Sequence, residues 1–84
     1  MTRVALIQLD VSDTETPQAR IARAAGLVRS LKGVELAVLP ELWHVGAFDL
    51  EAARAEAQPL DGPVVTAMRD AARDAGIWLH AGSI

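Results

Sequence analysis

Two short runs, residues 4–9 and 36–39, carry apolar side chains at consecutive positions rather than at alternate ones, with Gln8 near the end of the first the one exception. Successive strand residues point to opposite faces, so Val4 and Leu6 oppose Ala5 and Ile7, and Leu36 and Val38 oppose Ala37 and Leu39. A strand that is apolar on both faces belongs in a sheet covered on both faces, the pattern of parallel α/β sheets rather than of half-solvated antiparallel ones. A third run, residues 77–81, follows the second after residues 40–76, and helical patterns fill both gaps.

The first gap holds a helix start at Thr16-Pro17, a side-chain oxygen to cap free amides followed by a proline at the first helical position. Ile21, Ala24, Ala25, Val28 and Leu31 recur at helical spacing as the inward face, Arg20, Arg23, Arg29 and Lys32 take the outward one, and Gly33 supplies a left-handed stop. In the second gap, residues 42–49 with Gly46 read as a loop and residues 50–57 as a short Ala-rich helix. Asp61-Gly62-Pro63 then opens a helix with Val64, Met68, Ala71, Ala72 and Ala75 inward, Arg69, Asp70, Arg73 and Asp74 outward, and Gly76 at its end. Strand, helix, strand, helix, strand predicts a parallel sheet with right-handed crossovers. Two amphipathic helices cover one face of such a sheet, or half of each. Further polypeptide or a partner surface is expected to supply the missing layer.

Composition removes several classes of function. With 84 residues the chain is at most one small domain, and 51% apolar with 23% charged residues is a globular composition rather than a disordered one. A net charge of −3, with eight Lys plus Arg scattered along the chain, forms no basic stripe for nucleic acid. Apolar runs fall far short of the ~20 residues of a membrane span, and Met1-Thr2-Arg3 leads straight into a strand, so a cytoplasmic location is expected. There is no cysteine, hence no thiolate ligand or thiol nucleophile within these residues. No G-x-G-x-x-G or G-x-x-x-x-G-K pattern is present to cradle a phosphate.

The chemically pointed stretch is Leu36-Ala37-Val38-Leu39-Pro40-Glu41-Leu42-Trp43. Pro40 has no amide hydrogen for a ladder and keeps Leu39 extended, so pairing should stop there and Glu41 should project from the carboxyl edge of the sheet. That edge is where open α/β sheets bind their ligands.

With Gln8 at the first strand end, Leu39-Pro40-Glu41-Leu42-Trp43, Gly46-Ala47-Phe48, Gly62-Pro63 opening a helix and Ala81-Gly82-Ser83-Ile84 closing the third strand, the chain resembles the amino-terminal segment of the nitrilase superfamily of carbon-nitrogen hydrolases. The likeness runs from Val4 to Ile84, about the first third of a family domain, with Pro40-Glu41-Leu42 its most specific part. Ala47 stands where many members have an aromatic directly after the loop glycine.

The resemblance implies an α-β-β-α sandwich, of which residues 1–84 are the β-α-β-α-β start, usually assembled into homo-oligomers. It implies a Glu-Lys-Cys triad in which Glu41 is the general base, with the lysine and cysteine beyond this chain and no cofactor or metal. Trp43 and Phe48, large aromatics beside that strand end, are the candidate substrate-pocket residues. Lys32, the one lysine, sits on the wrong helix. Reference pKa values of Glu and Cys differ by roughly 4 units, about 6 kcal/mol against proton transfer, so the base must be shielded from water in the complete domain.

Plainer readings stand beside these. Glu41 could cap a turn or pair with an arginine. His44, three residues on, is read as a solvated loop histidine rather than a metal ligand. Asp10 and Glu41 lack the further acids of a magnesium pocket. Large aromatics beside a strand end, such as Trp43 and Phe48, more often belong to a core or subunit interface than to a pocket, while Trp78 and His80 are read as structural residues of a strand with one buried face. The expected function is thus hydrolysis of small amide, carbamoyl or nitrile substrates through a cysteine thioester, with these 84 residues inactive alone. The alternative is a non-catalytic α/β module that binds a partner along its open sheet.

Overall fold

The computed structural model describes the chain apart from residues 11, 13, 47, 48 and 84. Its elements are β1 (Val4–Leu6), α1 (Pro17–Arg29), β2 (Leu36–Val38), α2 (Leu50–Ala55), α3 (Pro63–Ala75) and β3 (Trp78–His80). The strands form one parallel sheet in the order β1-β2-β3, with Val4, Leu36 and Trp78 in register, then Ala5, Ala37 and Leu79, then Leu6, Val38 and His80. Each strand lies beside the one before it, stepping in a single direction. Crossovers of one hand therefore put both long helices on the same face, and α1 packs against α3 there.

The covered face carries Ala37, Leu39 and the half-buried Ala5, Ile7, Leu79 and Ala81. Ala24, Ala25 and Val28 of α1 meet Val64, Met68 and Ala71 of α3 over it, spacings of three and four that keep each set on one stripe. The opposite face is bare. Val4 is 49% exposed, Leu6 76% and Trp78 82%, with His80 beside them. The alternation on β3 is as the sequence reads, but it is Leu79 that goes inward, and Trp78 stands on the uncovered side.

Helix starts and stops follow local chemistry, with three corrections. Thr16 caps α1 as expected, its Oγ1 accepting from the Ala19 amide at 3.1 Å. Thr16→Ala is expected to lower stability by about 1 kcal/mol, read as a shift in the urea midpoint at unchanged slope. Gly33 does have φ +70°, but α1 ends earlier, at Arg29, where the Ser30 amide turns back to Gly26 and Leu27 carbonyls. Asp61 caps nothing. Gly62 occupies the cap position before Pro63, and the Val64 amide is taken instead by Gln58 Oε1 at 2.9 Å. Gly76 ends α3 with φ +70°, the left-handed geometry expected of it.

The third correction concerns Arg20, which the sequence places on the outer face of α1. It is 3% exposed. It lies four residues before Ala24 and eight before Val28, so helical periodicity sets it on the buried stripe, and its charge is met there by acceptors rather than by solvent.

Candidate active site

β2 ends where the proline dictates. The Ile7 amide donates to Val38 O at 3.0 Å and the Leu39 amide to His80 O at 2.9 Å, after which Pro40 has no proton to offer. The chain then turns through residues 41–45 at the carboxyl edge of the central strand. Glu41 sits on this turn and is exposed, and among the described residues its carboxylate takes no hydrogen bond. These residues therefore place the acid at the expected edge without shielding it from water.

The turn beneath Glu41 is tied down closely. The Leu42 amide donates to Ser83 O at 2.9 Å, and Leu42 O accepts from the amides of Val45 at 3.3 Å and Gly46 at 2.7 Å. Leu42 has φ +47°, a left-handed conformation that costs a branched residue on the order of 1–3 kcal/mol and persists only where its surroundings determine it. Trp43 follows at 1% exposure, its indole nitrogen donating to Ala81 O at 2.8 Å. An aromatic so enclosed offers no open wall in this chain, and here it is a core residue that anchors the turn. Phe48, the other expected pocket residue, lies outside the described residues.

His44 is fully buried rather than solvated. Its Nε2 lies 3.3 Å from Glu56 O, which can only accept, so Nε2 carries a proton, and among the described residues the buried Nδ1 finds no hydrogen-bond partner. Its carbonyl is held from the other side, accepting from Arg20 Nη1 at 2.7 Å. Arg20 also donates from Nη2 to Ser12 O at 2.9 Å and from Nε to Glu15 at 3.2 Å, while Arg23 reaches the same carboxylate at 2.8 and 2.9 Å. One guanidinium thus links the start of α1, the loop after β1 and the Glu41 turn.

Arg23, and then Arg20, donating to the Glu15 carboxylate hold its pKa below the ordinary glutamate value. A depressed folded-state pKa adds stability that is fully present above the unfolded value, about 4.3, and is lost as pH falls through the lower one. The urea midpoint is therefore expected to hold from neutral pH to about 5 and to fall below about 4.3, with a shallower fall in Glu15→Gln.

The remaining sequence candidates stay apart. Lys32 follows α1 at the amino edge of the sheet, the end opposite Glu41, because α1 runs back against the strands. Asp10 is exposed beyond β1, its carbonyl accepting from Arg23 at 2.7 Å. Among the described residues no three His, Cys, Asp or Glu side chains are grouped to hold a metal ion. No helix among the described residues is long and apolar enough to cross a membrane. Arg20 is what the sequence reading misplaced, and its spacing from Ala24 and Val28 was a usable signal.

Residues 3–84 match the model of the carbon-nitrogen hydrolase family. A curated relative, 2-oxoglutaramate amidase of Paenarthrobacter nicotinovorans, is 40% identical over 80 residues, which are 95% of this chain and 27% of the relative. The chain thus spans about a quarter of the length of the relative it matches. No solved structure matches significantly. With the match extending over almost every residue, and with a carboxylate on a clamped turn where the strand ladder ends, the chain belongs to the carbon-nitrogen hydrolase family of the nitrilase superfamily.

Proposed function

We propose that these residues form the amino-terminal part of a single hydrolase domain that cleaves small carbon-nitrogen substrates through a cysteine thioester, with Glu41 as its general base. The observation that supports this best is the Glu41 turn: a carboxylate without a hydrogen-bond partner among the described residues, carried by a backbone held on both sides, at the edge of a parallel sheet where α/β folds bind ligands. Of amide, carbamoyl and nitrile substrates the amide is favoured, because the relative is named an amidase.

In this reading Glu41 takes the proton of a cysteine thiol as the sulfur attacks the amide carbon, and returns it to the departing nitrogen as the carbon-nitrogen bond breaks and the thioester forms. It then takes a proton from water as the water oxygen attacks the thioester carbon, and when the carbon-sulfur bond breaks and the acid leaves, that proton passes from Glu41 back to the sulfur, which restores the thiol and the carboxylate. A lysine beside the developing oxyanion balances its charge. Neither partner is in these 84 residues, which hold no cysteine and whose lysine lies at the far edge, so on this reading they are inactive alone. The shielding that Glu41 needs, and the cover for Val4, Leu6 and Trp78, would come from the second sheet of an α-β-β-α sandwich and from association of like subunits.

The bare sheet face is also what a partner-binding module would present, but that alternative gives no role to the constrained turn around Glu41. Ammonia release from small primary amides by the full polypeptide carrying this sequence, with and without Glu41→Gln, tests the proposal. Near-normal turnover in the variant would overturn it.

A further inference from the structure

We propose that Gly82 is a positioning residue for Glu41, its missing side chain letting the segment that leaves β3 lie against the Pro40 carbonyl and fix the peptide from which Glu41 projects. The inference rests on Glu41 being the base and adds what holds it in place. Gly82 has φ +74°, and a Cβ built there would overlap the Pro40 carbonyl oxygen, lie 2.9 Å from the carbonyl carbon and 3.3 Å from Trp43 Cδ1. The atoms it would strike are backbone, which has no rotamer to change. Pro40 C and O share one peptide plane with the Glu41 nitrogen, so any retreat of that carbonyl carries Glu41 with it.

The residues around Gly82 do complementary work. His80 O accepts from the Leu39 amide at 2.9 Å, Ala81 O from the Trp43 indole at 2.8 Å and Ser83 O from the Leu42 amide at 2.9 Å. Three successive ties therefore grip the chain before and after Glu41, and Gly82 is where the two segments touch without a hydrogen bond between them. Filling that contact presses on the gripped turn at its centre. The turn already holds Leu42 in a left-handed conformation, and it has little freedom to absorb the push elsewhere.

To regain an ordinary contact, the Pro40–Glu41 peptide has to withdraw by on the order of 1 Å, a misplacement that costs roughly a hundredfold in rate when it moves a catalytic group. The test uses the full polypeptide with a small primary amide as substrate. Gly82→Ala is expected to lower kcat about a hundredfold while KM stays within about threefold, and to lower the residual rate of Glu41→Gln by less than threefold, since its effect passes through Glu41. A folded Gly82→Ala that keeps kcat within threefold of wild type, or that loses rate equally in both backgrounds, overturns the inference.

Should Gly82→Ala not fold, Trp43→Phe keeps an aromatic side chain in the core but lacks the indole N–H, and with it the tie to Ala81 O. A tenfold fall in kcat at steady KM supports the clamp, and an unchanged kcat overturns it. A fully active Glu41→Gln is a separate result, since it removes the base assignment itself.

Discussion

Replacing Arg20 by methionine is expected to destabilise the protein by about 3 kcal/mol, the loss left when a buried charged donor is removed and its acceptors stay behind. Methionine keeps the length and apolar stem of the side chain, so packing along α1 is largely preserved. The hydrogen bonds to His44 O, Ser12 O and Glu15 are lost, and the first of those acceptors belongs to a fully buried residue. Arg23→Met is the matched control. That residue is half-exposed and bonds to the same Glu15, so its loss is expected to cost under about 1 kcal/mol. Urea midpoints of the two variants at neutral pH decide the matter, and equal costs would show that Arg20 does not hold the turn.

How well the sequence foretells this depends on whether a feature is local. Thr16-Pro17, Leu39-Pro40 and Gly76 act through their immediate neighbours, and the helix starts, the strand stops and the helix ends there. Glu41 is legible for the same reason, since a proline-terminated strand fixes where the next side chain emerges. Arg20 is misread because its charge outweighs its position on the helical stripe, although burial is settled by the acceptors waiting at that position. Gln58 replaces Asp61 as a cap because reach in space matters there, not adjacency in the chain. Trp43 is ambiguous between pocket and core until the carbonyl of Ala81, 38 residues away, is seen to accept its proton. The tight contact of Gly82 with Pro40 likewise exists only once β3 is registered against β2.

Glu41→Gln is expected to leave stability within about 0.5 kcal/mol of wild type, because the side chain is exposed and takes no hydrogen bond among the described residues. The carboxamide has nearly the same shape but cannot accept and return a proton. Loss of a positioned general base costs 10²–10⁴-fold in rate, about 3–5 kcal/mol of barrier. Few substitutions separate the two quantities so widely: a residue that serves the fold loses activity together with stability, whereas a base loses activity alone.

The decisive measurement is ammonia release from a small primary amide by the full polypeptide, wild type and Glu41→Gln, with both melting temperatures recorded on the same samples. A fall of at least a hundredfold at an unchanged melting temperature is the expected result. Turnover within threefold of wild type would contradict the role assigned to Glu41.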